Sequence, residues 1–273
     1  MPAREKRKEA QIREMFKVLF QKWGQQHWWP AESAFEMIAG AFLTQNTAWT
    51  NVERALANLR TANVLSLEGI RRIPLGDLEL LLRPAGYYRQ KAHRLKVFVG
   101  YLDERYGGSL EAMFARPTRE LRVELLNLHG IGPETADSIL LYAAQHEIFV
   151  VDAYTRRIFE RHGIVSATAK YDEIRELAER ALTDGSSQKV LGEEDRVELR
   201  VEHKPPGAHH APSLMSNASR SELAQMYNEM HGLLVGVAKN YCHARVALCE
   251  QCPLAPLLPK PRKTSKITIA GDR

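Results

Sequence analysis

Apolar residues recur every three or four positions through most of this chain. Segments 12–23, 34–43, 52–59, 78–82, 92–102, 121–126, 136–144, 155–161 and 174–182 all carry that spacing, and a further one runs from 222 to 239. Positions three and four apart project from the same side of a helix, so each segment predicts a helix burying one face. Alternation at period two, the strand pattern, is scarce. The fold class expected is therefore all-α. Short breaks such as Arg83-Pro84-Ala85-Gly86 and Arg116-Pro117-Thr118 divide the helices, and the second places proline and threonine as a helix-start signal.

Two stretches depart from this rhythm. Residues 184–221 are polar, contain Pro205-Pro206-Gly207 and His209-His210, and show little periodicity. They are expected to be an insertion or a disordered segment. Residues 259–273 form a basic tail, expected to be mobile, which either adds weak phosphate contacts or is simply solvated.

Composition narrows the class only slightly. A chain of 273 residues is one large domain or two small ones. Its 38 lysines and arginines against 33 acids leave a net charge of +5, which suits a phosphate-rich partner without requiring one. The expected setting is the cytoplasm. No apolar run approaches a membrane span, and the opening MPAREKRKEA is too charged for a secretory signal. Three cysteines, an odd number, argue against a disulfide framework.

The densest chemistry lies between Leu128 and Asp152. Gly130-Ile131-Gly132 forms a tight turn between two apolar helical segments. Backbone N–H groups in such a turn, with the start of the next helix, can hold a phosphate oxygen. After the apolar run Ile148-Phe149-Val150-Val151 comes a single acid, Asp152. A carboxylate at a fixed distance from a docked nucleic-acid backbone suits catalysis. The same residue before Ala153 also suits a helix N-cap.

The pattern Leu128-X-Gly130-Ile131-Gly132-X-X-Thr135-Ala136 resembles the hairpin of the helix-hairpin-helix DNA glycosylases, the endonuclease III superfamily. Three more blocks follow the family's order. Trp28-Trp29-Pro30 with Phe42-Leu43-Thr44-Gln45-Asn46-Thr47 is similar to its early helix and glutamine-bearing loop. Pro84-Ala85-Gly86-Tyr87-Tyr88 with Lys91-Ala92 resembles its mid-domain turn, and Cys242, Cys249 and Cys252 resemble its iron–sulfur loop.

The resemblance implies two helical lobes around a DNA-binding cleft. One would be contiguous over 32–145 and end in the hairpin. The other would join the N-terminal helix, 1–31, to residues 146–258. Leu128, Gly130, Ile131, Gly132, Glu134 and Thr135 would form the hairpin that grips DNA, and Asp152 would serve the chemistry. The expected partner is double-stranded DNA carrying a damaged base, bound by a monomer. The base would leave the stack and enter a pocket, for which Trp28, Trp29, Pro30, Phe42 and Trp49 are the candidates. Gln45, with Asn46, would fill the gap left behind.

One departure from the family pattern bears on mechanism. Bifunctional members carry a lysine two residues after the second glycine, which attacks the sugar and forms a Schiff base. Glu134 stands there, and a carboxylate forms no imine. Lys170, Lys189 and Lys239 do not occupy that position. The expectation is a monofunctional glycosylase leaving an intact abasic strand, its pattern most similar to bacterial 3-methyladenine glycosylases of the superfamily. The alternatives are an endonuclease III-like pyrimidine-damage glycosylase with lyase activity and a DNA-binding protein without catalysis. His231 and Lys239 fall on the last helix, where they either face the cleft or, the reading preferred here, take ordinary surface or core roles.

Cys242-X6-Cys249-X2-Cys252 supplies three ligands of a four-cysteine loop, and the fourth position holds Leu258. A [4Fe–4S] cluster takes four thiolates. The chemistry itself requires no cofactor. Either a labile cluster is bound, or the cysteines pack reduced, or a zinc site forms with a histidine such as His243.

Overall fold

A computed structural model describes residues 3–183 and 211–259. In chain order the α-helices are α1 (Ala3–Trp23), α2 (Ala34–Thr44), α3 (Trp49–Thr61), α4 (Leu67–Arg72), α5 (Leu75–Leu82), α6 (Tyr88–Tyr106), α7 (Leu110–Phe114), α8 (Thr118–Leu126), α9 (Pro133–Ser138), α10 (Ala153–Arg161), α11 (Tyr171–Leu182) and α12 (Glu222–Asn240). Among the described residues the sole strand-like pairing is an isolated bridge between Cys242 and Ala247. The chain is all-α.

Each periodic segment falls within a helix, and the two helices that periodicity missed are short. α4 and α7 span six and five residues, too few for an apolar repeat. Their signal is the cap: Ser66 Oγ accepts from the Gly69 N–H at 3.0 Å, and Ser109 Oγ from the Ala112 N–H at 3.1 Å. The expected helix over 136–144 is continuous, but its last turn, Ile139–Ala143, widens to π pitch.

The helices pack in two groups. α2 through α9 contact one another, whereas α1 packs on α11 and α12, and α10 on α12. The π turn touches both α2 and α12, bridging the groups. α2 lies at the centre of the first group, with every residue from Phe35 to Leu43 buried, as a helix covered on all sides must be.

The C-terminal end of α2 is held by an unusual device. Lys91 on α6 is 1% exposed, and its Nζ donates to the carbonyls of Leu43 and Ala85 at 2.9 and 2.8 Å. A cation there suits the negative end of the helix dipole. It fixes the path of the chain into Gln45.

Residues 184–210 of the polar segment, and 260–273 of the tail, lie outside the described residues. Its end at 211–221 is pinned to the chain leaving α1. The Met215 N–H donates to the Ala31 carbonyl at 3.0 Å, and the Ala31 N–H donates to Ser213 Oγ at 3.1 Å.

Candidate active site

The hairpin is built from the residues its sequence marks. Gly130 has φ +84°, a left-handed angle that L side chains rarely adopt. A Cβ there would also stand 2.1 Å from Arg94 Nε. Gly132 differs: its φ of −95° is ordinary, and a Cβ would meet nothing within 4 Å. Conformation therefore requires glycine at Gly130 only, and Gly132 leaves open space in front of the turn. Pro133 occupies the first turn of α9, where its missing N–H costs nothing.

Gln45 is bound to this hairpin. Its Nε2 donates to the Gly130 carbonyl at 3.1 Å and to Thr135 Oγ1 at 2.9 Å, while Arg94 donates to its Oε1. The loop after α2 and the hairpin thus form one hydrogen-bonded unit.

Asp152 caps a helix and lines the cleft at once. The buried run Ile148–Val151 is tied to α11, with the Phe149 N–H donating to Glu179 Oε1 at 3.0 Å and the Val151 N–H to the Tyr171 hydroxyl at 3.2 Å. It delivers Asp152 to the start of α10. There Oδ1 accepts from the Thr155 N–H at 2.7 Å, an N-cap. Oδ2 remains for the cleft, where His231 Nε2 lies 3.5 Å away. Burial pushes the carboxyl up, but the facing imidazole and the Thr155 N–H outweigh it, so its pKa falls below the ordinary value.

The cleft has a volume of about 440 Å³. It is lined by the indoles of Trp28, Trp29 and Trp49 and by the polar side chains of Glu134, Asp152, His231 and Lys239. The aromatic wall is rigid. Trp29 is 7% exposed, with its ring 5.1 Å from Trp49 at 77° and 5.3 Å from Tyr142. Trp28 is seated against α12 at Gly232, where a Cβ would come within 2.9 Å of the Trp28 Cβ. Gly232 lets the ring approach the helix.

Two pocket candidates fall elsewhere. Phe42 is 1% exposed and packs edge-on against Phe98 at 5.7 Å; α2 turns it into the core. Pro30 does not line the cleft. Asn46, expected to act beside Gln45, is exposed, with φ +54°. Conversely, the roles expected for His231 and Lys239 need correction, because both line the cleft. They are eight residues apart with Val235 between them, a spacing that places all three on one helix face. That periodicity of polar residues was the available signal. Lys170 lies at the N-cap of α11, and Lys189 is outside the described residues.

Glu134 lines the same cleft as His231 and Asp152. Burial within the cleft and then repulsion from Asp152 raise its pKa to about 7. Lys239 is shifted the other way: burial lowers its pKa, with Glu53 partly offsetting the effect.

The cysteines converge without forming a cluster site. Cys242, Cys249, Cys252 and Leu258 are among the residues lining a cavity of about 20 Å³, room for about one water. Arg161 Nη1 donates to Cys242 Sγ at 3.1 Å. Among the described residues no group of three or more histidine, cysteine or acidic side chains is arranged to hold a metal ion. A [4Fe–4S] cluster, or zinc with His243, does not fit this arrangement.

Among the described residues no helix is long and apolar enough to cross a membrane. A family profile described as HhH-GPD superfamily base excision DNA repair protein matches residues 39–183. A protein of Methanocaldococcus jannaschii, provisionally named a DNA repair glycosylase, is 39% identical over 89% of this chain and 93% of its own length. The crystal structure of H. pylori 3-methyladenine DNA glycosylase bound to 1,N6-ethenoadenine superposes with a TM-score of 0.64. It is 29% identical over 85% of this chain and 97% of that one. A non-covalent endonuclease III–DNA complex superposes with a TM-score of 0.62 at 19% identity, covering 94% and 96%, a likeness of fold.

Proposed function

The chain belongs to the HhH-GPD superfamily of base excision DNA repair proteins, and from that premise we propose that it is a monofunctional DNA glycosylase of alkylated purines. One observation carries this. A carboxylate oxygen of Asp152 faces an aromatic-walled cleft, and the position of the lyase lysine holds a second carboxylate, Glu134. The similarity to the H. pylori 3-methyladenine enzyme supports the substrate class.

The partner is duplex DNA, bound by a monomer. The hairpin 128–135 docks the backbone, with Gly132 leaving room for a phosphate to approach. The damaged base enters the cleft against Trp28, Trp29 and Trp49. A 3-methyladenine is cationic, so indole faces attract it by stacking and cation–π interaction. Its N-glycosidic bond breaks with the electron pair going to the base, leaving a sugar of oxocarbenium character. Asp152 stabilises that charge and orients the water that adds to C1′. Asp152 takes up the water's proton, and the product is an abasic strand with an unbroken backbone.

Lys239 favours a second reading. It lines the same cleft with a lowered amine pKa, and a neutral amine can attack C1′. Excision from duplexes carrying 3-methyladenine, 7-methylguanine, thymine glycol or a mismatched adenine separates the readings. Release of alkylated purine, with strand breaks only after alkali, supports hydrolysis. Breaks without alkali, with a borohydride-trapped adduct lost in Lys239→Met, overturn it. Binding without excision of any base would mean a non-catalytic module.

A further inference from the structure

Behind Asp152 stand two buried polar residues that base excision does not call for directly. His231 is 4% exposed and Tyr142 1%. The Tyr142 hydroxyl is hydrogen-bonded to His231 Nδ1, and His231 Nε2 lies 3.5 Å from Asp152 Oδ2. The three residues come from the π turn after α9, the N-cap of α10 and the middle of α12. Nothing in a helical core needs a phenol and an imidazole joined in line with a cleft carboxylate. Their alignment needs a reason.

We propose that Tyr142 and His231 form a positioning relay, in which the Tyr142 phenol donates to Nδ1 and so fixes the proton of a neutral His231 on Nε2, facing Asp152. The proposal rests on the glycosylase reading of the cleft. Its logic is electrostatic. Asp152 must keep its full negative charge if it is to stabilise a cationic sugar. A neutral N–H dipole orients Oδ2 and leaves the charge in place, while the Thr155 N–H fixes Oδ1. Oδ1 is held by the cap, and Oδ2 stays turned to the cleft with Nε2 beside it.

The surroundings are consistent with a neutral ring whose proton is directed by the phenol. Burial holds the Tyr142 hydroxyl protonated well beyond neutral pH, so it is a donor under working conditions. A hydrogen bond donated to Nδ1 leaves Nε2 as the ring nitrogen that carries the proton. The charged and titratable groups facing the relay are Asp152 and Glu134, with Arg220 acting on Tyr142. Lys239 lies two turns further along α12. Trp28 packs edge-on to the imidazole at 6.0 Å and closes that side with an apolar face.

Ring-nitrogen NMR of the full chain tests the relay without any substrate, with the His231 signal identified by its loss in His231→Gln. The relay requires wild-type His231 to carry its proton on Nε2 with Nδ1 bare, and requires Tyr142→Phe to move it towards the other tautomer or a mixture. A wild-type proton on Nδ1 overturns the proposal. Single-turnover excision across pH supplies the second readout. Tyr142→Phe should slow excision on the order of tenfold, less than a wrong tautomer costs where the ring itself transfers the proton. It should also change the shape of the rate profile across pH. His231→Gln, which keeps an N–H, should retain more activity than His231→Leu. A uniform loss at every pH would mark a merely structural contact and overturn the relay. Should wild type excise no lesion, the glycosylase reading fails, and the tautomer measurement still decides the relay.

Discussion

Gln45 Nε2 donates to the Gly130 carbonyl at 3.1 Å, joining residues 85 apart in the chain. The loop expected to fill the gap of an extruded base is thereby linked to the turn expected to hold the DNA backbone. Gln45 enters a duplex only by leaving Gly130, Thr135 and Arg94, so the hairpin's state is coupled to the loop's.

The two hairpin glycines should therefore fail differently. Gly130→Ala places an L side chain at φ +84° against Arg94 and should destabilise the fold by about 1–3 kcal/mol. Gly132→Ala should leave stability within about 0.5 kcal/mol, because its backbone is ordinary and its Cβ meets nothing. It should instead weaken binding to an abasic-site duplex. Thermal melts beside DNA titrations separate the two, and equal melting losses would contradict the assignment.

Glu134 should make stability depend on pH. In the unfolded chain its carboxyl ionises near 4.5, and in the fold near 7. The folded state therefore holds the proton more tightly, so stability is fully present below pH 4.5 and is lost as pH rises through about 7. Between about pH 5 and about pH 8 the Tm of wild type should fall relative to that of Glu134→Gln. Asp152 works in the opposite sense, but only around and below its ordinary pKa of 3.8. A constant Tm difference between the two proteins over that range would show that Glu134 is not perturbed.

The cysteine loop should be stable without iron. Cys242, Cys249 and Cys252 close on a cavity of about 20 Å³ with Leu258 beside them. The purified protein should contain iron well below one cluster per chain, and chelators should leave its Tm unchanged. Leu258→Cys restores a fourth thiol, and iron uptake after reconstitution should rise in that variant alone. Stoichiometric iron in wild type would refute the closed geometry.

Much of this was legible in the chain because the pieces are local. Helix periodicity marked all but the two shortest helices, and Gly130-Ile131-Gly132 announced the hairpin whose conformation Gly130 requires. Asp152 was legible as both cap and candidate catalyst, and it takes the capping position while leaving one oxygen free for the cleft. The failures are tertiary. Phe42 lies within the helix that leads to the glutamine loop, but the rotation of α2 sends it into the core against Phe98. His231 and Lys239 join Asp152 at the cleft, and Tyr142 reaches His231, because α12 packs on the π turn. No spacing within a single helix reveals that crossing.

Single-turnover excision by Asp152→Asn tests the central claim most directly. Asparagine caps a helix as well as aspartate does, so the variant should fold with stability within about 0.5 kcal/mol of wild type. It should still bind a 3-methyladenine duplex, and its excision rate should fall at least about a hundredfold. Excision at the wild-type rate by the folded variant would reduce Asp152 to a helix cap and contradict the account.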